Sequence, residues 1–170
     1  ELEALHLARN VGMSGVIFTM LAHPEAVLEK ADRKLPMVVI GDRRQDLSVD
    51  TVELNNYDAG SLIARHMHEL GHKHLAYIST TLDEANPIRT QRLQGLRDTF
   101  GQLCPEGSVQ VKSRDISPET ELENVQIEHL VGRELARKCL DDKKITAFVA
   151  VNDMVAYGVI DAVREGGFSI

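Results

Sequence analysis

Thr146-Ala147-Phe148-Val149-Ala150-Val151-Asn152-Asp153-Met154-Val155-Ala156-Tyr157-Gly158-Val159-Ile160 is the stretch whose reading decides the fold. Its first six residues form a short, nearly continuous apolar run, the pattern of a strand covered on both faces. Asn152 and Asp153 interrupt that run, and a helical pattern begins at Met154. An Asn at such a junction is first of all an N-cap, because its side-chain oxygen accepts a backbone N–H that a helix start leaves unsatisfied. The same amide stands at the carboxyl end of a strand, where α/β sheets gather their ligand-binding loops, so it is also placed to meet a ligand hydroxyl.

The alternation continues in both directions from this unit. Residues 15–19, 36–40, 74–79 and 109–111 read as further strands, with 51–54 a weaker, edge-like one. Helical patterns fall at about 2–12, 24–33, 56–70, 89–103, 121–141 and 153–165. Pro24 suits a first turn, and Gly12, Gly71 and the pair Gly166-Gly167 stand where helices would end. Strands separated by helices predict parallel sheets, since parallel neighbours need a crossover that is usually a helix. Ligand chemistry is therefore expected in the loops after Thr19, Ile40, Ser79, Val111 and Val151.

Composition narrows the function classes. The 170 residues are 43% apolar and 26% charged, a composition that buries a core. No apolar run approaches the roughly 18 to 20 residues that span a bilayer. The amino end Glu1-Leu2-Glu3-Ala4 carries no secretory signal pattern. Cys104 and Cys139 are too few and too far apart for a disulfide framework or a zinc site, which predicts reduced thiols in a cytoplasmic protein. With 19 Lys and Arg against 26 Asp and Glu, the net charge of -7 argues against this segment itself contacting DNA.

Several polar clusters invite chemistry. Four histidines lie between Arg65 and His74, and His68 and His72 have metal-ligand spacing, but Gly71 should end the helix between them. A solvated helix end is the expected reading, and no metal is predicted. Asp42-Arg43-Arg44 is either a small polar site or a charged solvent loop. Arg89 and Arg92 open a helix whose dipole disfavours cations there, so they call for a carboxylate partner or a ligand. There is no G-x-G-x-x-G loop, Walker loop or G-x-S-x-G elbow in the sequence, and no local nucleophile, histidine and acid set. No cofactor and no catalysis are expected; a flavodoxin-like or hydrolytic enzyme would need such a loop or nucleophile.

Taken in order, these segments resemble the LacI/GalR repressors, whose sensing core is similar to periplasmic sugar-binding proteins. The matching pieces are Gly15-Val16-Ile17, Pro36-Met37-Val38-Val39-Ile40-Gly41-Asp42-Arg43, and Val52 through Gly60 with Asn56, Asp58 and Gly60 in place. They continue in Leu70-Gly71-His72-Lys73-His74-Leu75-Ala76-Tyr77-Ile78, Arg92-Leu93-Gln94-Gly95, Asp115-Ile116-Ser117, the stretch from Ala147 to Gly158, and Glu165 to Ile170.

The resemblance implies an α/β, three-layer α/β/α fold of the type I periplasmic-binding-protein kind in two incomplete lobes, residues 1–71 mainly in the amino-terminal lobe and 72–170 mainly in the carboxy-terminal one. It implies a small-molecule effector in an interlobe cleft, a homodimer, and operator DNA bound only through a helix-turn-helix head absent from this segment. A membrane role is not expected. The effector-binding set it suggests is Asn86, Ile88, Arg92, Ile116, Asn152 and Asp153. Ile116 stands where many members place an aromatic wall residue, which favours a sugar over a stacked nucleobase. A periplasmic sugar- or solute-binding protein of the same fold is the alternative.

Overall fold

The computed structural model describes residues 2–19, 35–40, 49–83 and 87–170. The helix expected at 24–33 and the Asp42-Arg43-Arg44 loop lie outside the described residues. The chain divides into two compact units, Glu1–Leu54 and Asn55–Ile170.

In the first unit α1 (Leu2–Asn10) precedes three parallel strands, β1 (Val16–Phe18), β2 (Met37–Ile40) and β3 (Asp50–Val52), in the order β1-β2-β3. Gly12 ends α1 at φ 70°, a left-handed conformation open to glycine at no steric cost. The strands alternate: Phe18, Met37 and Val39 are buried with Leu5 of α1, whereas Ile17, Ile40 and Val52 are exposed.

The second unit starts with α2 (Asn56–Glu69), capped by Asn55, whose side chain accepts the Asp58 N–H at 3.1 Å. It continues through β4 (His74–Ser79), α3 (Pro87–Leu103), β5 (Ser108–Ser113), α4 (Pro118–Glu123), α5 (Ile127–Arg137), β6 (Ala147–Ala150) and α6 (Asp153–Glu165). The sheet is parallel throughout, in the order β5-β4-β6. From β4 the chain steps one way to β5 and then back past β4 to β6, so right-handed crossovers put α3 and α5 on opposite faces. Helix α2 packs along α3, and α6 packs along α5. Central β4 is sealed on both sides as a result, with Leu75, Ala76, Tyr77 and Ile78 wholly buried. The three-layer parallel fold is thus present in this unit.

Both helix pairs meet through glycines. A methyl group on Gly60 of α2 would overlap the Arg92 carbonyl of α3, and one on Gly95 would overlap the Tyr57 carbonyl. Gly132 of α5 faces the Val155 carbonyl of α6 in the same way, and Gly158 faces that of His129. The backbones approach to distances that only a residue without Cβ permits.

Two expectations differ from what is found. The helix expected at 121–141 is two helices. Ser117 caps α4 by accepting the Thr120 N–H at 3.3 Å, and α4 stops at Asn124, which has left helical geometry. The Asn124 side chain takes the Gln126 N–H at 3.0 Å, a local bond that competes with helix continuation. The compact units also divide before Asn55, where the sequence reading set the passage between lobes after Gly71. Helix α2 lies along α3, and its contacts belong with the second sheet.

Candidate functional site

The fold brings polar side chains together at the carboxyl edge of the second sheet, starting with the cap of α6. Asn152 is extended, at φ -153° and ψ 179°, and its Oδ1 accepts the Val155 N–H at 3.0 Å. With the oxygen so engaged, the amide nitrogen faces Glu128 near the start of α5. Nδ2 donates to its two carboxylate oxygens at 2.9 and 3.0 Å. Glu128 also accepts a bond from Arg89 Nη2 at 3.2 Å, and the same nitrogen donates to Glu121 at 2.8 Å. These three side chains keep only 17 to 29% of their surface exposed.

Arg92 ties three elements together. Its Nη1 donates to the carbonyl of Val151, immediately before the α6 cap, and its Nη2 to Oδ1 of buried Asn56 at 2.7 Å. Because the Arg92 carbonyl also lies against Gly60, both ends of the residue are fixed by α2. The sequence left open whether the arginines at this helix start meet a carboxylate. Arg89 does, whereas Arg92 Nη1 and Nη2 bond neutral oxygens of Val151 and Asn56. Arg89 Nη1 and Arg92 Nε are buried without a hydrogen-bond partner among the described residues.

The other expected residues are placed as follows. Ile116, half-buried in the chain after β5, is held by its backbone: Thr81 Oγ1 accepts its N–H at 2.8 Å and donates to its carbonyl at 3.0 Å. Thr81 lies just past β4, so Ile116 is pinned to the edge that carries Arg92 and Asn152. Ile88 and Asp153 are exposed in the first turns of α3 and α6. Asn86 lies outside the described residues. Of the four histidines, His72 Nδ1 bonds Thr146 Oγ1 and His74 Nδ1 bonds Ser108 Oγ, both at 2.9 Å, while His66 and His68 are exposed on α2. No group of three or more His, Cys, Asp or Glu among the described residues is arranged to hold a metal ion.

Several participants were not in the expected set. Tyr77 is wholly buried on β4, and its hydroxyl and those of Ser79 and Thr80 have no hydrogen-bond partner among the described residues. Burial pushes the Tyr77 pKa up to about 12, against the opposing pull of the Arg92 and Arg89 charges. Asn56 and Glu128 were also missed as site residues. Asn56 carried a signal as an Asn at a strand-to-helix junction, but Glu128 sat inside an apparently continuous helix. A separate cavity of about 730 Å³ runs beside β6 and is lined by groups such as Ala147, Phe148, Val159 and Val163, with none of the clustered polar residues in its wall.

Parallel strands, helices whose amino ends meet at one sheet edge, and a fixed set of donors and acceptors there define an α/β core with a polar carboxyl edge. A family model described as "periplasmic binding protein-like domain" matches residues 64–170, and the chain belongs to that family. Its curated relatives are regulators. It is 29% identical over 143 residues to the HTH-type transcriptional repressor PurR of Mannheimia succiniciproducens, covering 84% of this chain and 40% of that protein. It is 30% identical over 149 residues to the HTH-type transcriptional regulator DegA of Bacillus subtilis, covering 85% and 40%. The chain therefore spans about 40% of the length of these relatives. Among solved structures, a LacI family transcriptional regulator from Enterococcus faecium with bound ribose superposes with a TM-score of 0.71 at 21% identity, over 99% of this chain and 59% of that one. GanP, a glucose-galactose binding protein from Geobacillus stearothermophilus, does so with a TM-score of 0.67 at 25% identity, over 98% and 57%. These likenesses place the chain among periplasmic-binding-protein-like domains, with HTH-type regulators among its relatives.

Proposed function

We propose that the chain is the effector-sensing core of a LacI/GalR-type transcriptional repressor, that its effector is a sugar, and that Arg92, Asn152 and the Ile116 wall contact it. The observation that carries this reading is the convergence of Arg92, Asn152 and Ile116 on one sheet edge through bonds that fix their positions. The regulator relatives support it, and the ribose bound to one structural neighbour and the glucose-galactose binding of another favour the sugar class. Effector binding acts by favouring one arrangement of the protein over another and so changing operator affinity in a homodimer, with DNA contacted by a separate helix-turn-helix head. The protein works in the cytoplasm, performs no catalysis and needs no cofactor. Among the described residues, no helix is long and apolar enough to cross a membrane.

Calorimetric titration of the full-length protein with ribose, glucose and galactose tests this. Arg92→Ala should weaken the sugar that binds by about one to two orders of magnitude, the worth of a charge-assisted contact. Unchanged affinity in that variant would refute the ligand role of Arg92. Residues upstream of Glu1 that read as a secretory signal rather than a helix-turn-helix would instead favour a periplasmic binding protein.

A further inference from the structure

The carboxyl edge of the second sheet is built like an anion receptor. Helices α3, α5 and α6 all begin there, each with the positive end of its dipole, and two guanidinium groups stand among them. Left alone, such an edge attracts phosphate or carboxylate. The structure fills it from within: Glu128 places one carboxylate between Arg89 and the Asn152 amide, and Glu121 places a second on Arg89. The side-chain charges of Arg89 and Arg92 are thereby matched by those of Glu121 and Glu128.

We infer that Glu128 is the specificity-determining residue of this edge, restricting it to uncharged, hydroxyl-bearing ligands by occupying the position an anionic group would take. This rests on the reading of the edge as the effector site. A phosphorylated ligand reaching Arg89 or the Asn152 amide must displace Glu128 or stand beside it, and two like charges in a half-buried site repel strongly. A neutral hydroxyl can donate to the free lone pairs of the carboxylate and loses nothing by its presence. Glutamine at the same position keeps the shape and the oxygen acceptor for Asn152 while removing the charge, so the effect separates from simple positioning of the cap.

The test uses full-length protein, wild type and Glu128→Gln, titrated with ribose, glucose, ribose 5-phosphate and glucose 6-phosphate. The wild type should bind a free sugar at least ~10-fold more tightly than its phosphate ester, and Glu128→Gln should narrow or reverse that ratio. Glu121→Gln, which removes a charge that touches Arg89 but makes no bond to Asn152, should narrow it less. A wild type that prefers the phosphate ester overturns the inference without any variant. So does a Glu128→Gln protein that binds the free sugar with the wild-type ratio unchanged, and in that case the sugar-sensing reading stands. Binding of none of the four by the wild type or the variants overturns the sugar-sensing reading and this inference with it.

Discussion

Among the described residues the two sheets have the same number of strands and the same parallel pairing, yet they are buried differently. In the second sheet the central strand β4 has helix pairs on both faces, and four consecutive side chains, Leu75 to Ile78, are fully removed from water. In the first sheet the central strand β2 buries Met37 and Val39 and exposes Ile40, while Ile17 on the neighbouring strand β1 is 66% exposed. A parallel strand gains its full hydrophobic stabilisation only when both faces are covered. The sealed strand leads into Thr81, the residue that anchors Ile116, and runs beside the strand that leads into Asn152.

The largest test of this contrast is a pair of truncations. Leu75→Ala on β4 should cost about 2 to 5 kcal/mol, through lost transfer energy and the cavity left behind, whereas Ile17→Ala on β1 should stay within about 0.5 kcal/mol. Denaturant unfolding followed by hydrogen exchange measures both, and equal losses would break the comparison.

A second test uses alkaline pH. The Tyr77 hydroxyl has its pKa raised by burial, so its contribution to stability is fully present below the unfolded value of 10.0 and is lost as pH rises towards about 12. Stability should fall by roughly 2 to 3 kcal/mol across that window, and Tyr77→Phe should remove this part of the slope. A slope that is the same in wild type and Tyr77→Phe would show that the hydroxyl is not sealed from water.

A smaller effect is expected at the helix crossing. Gly60→Ala forces α2 away from the Arg92 carbonyl and should cost about 1 to 3 kcal/mol. Because Arg92 moves with that carbonyl, effector affinity should drop in the same variant. Gly101→Ala, where a methyl group meets nothing within 4 Å, should leave effector affinity unchanged and raise stability by up to about 1 kcal/mol through helix propensity. Parallel thermal melts and titrations of the two glycine variants decide whether the crossing positions the site.

Apart from the break after Glu123 and the helix expected at 24–33, which lies outside the described residues, the order of strands and helices, the parallel pairing and the N-cap role of Asn152 were legible in the sequence. Each depends on residues adjacent in the chain: an apolar run of strand length, a short polar residue at a junction, a helical spacing of apolar positions. Arg92 was identifiable as a charge at a helix start where the dipole does not favour it. The tertiary structure alone decided which acceptors that charge would find, because Asn56 and Val151 lie 36 and 59 positions away. It alone also paired Gly60 with Arg92 and Gly158 with His129, since a lone glycine in a helix does not announce which backbone will pass over it. Glu128 was hidden for the same reason. Its meaning as a carboxylate among three helix amino ends comes from the crossovers that bring those ends to one sheet edge, and no local spacing encodes that convergence.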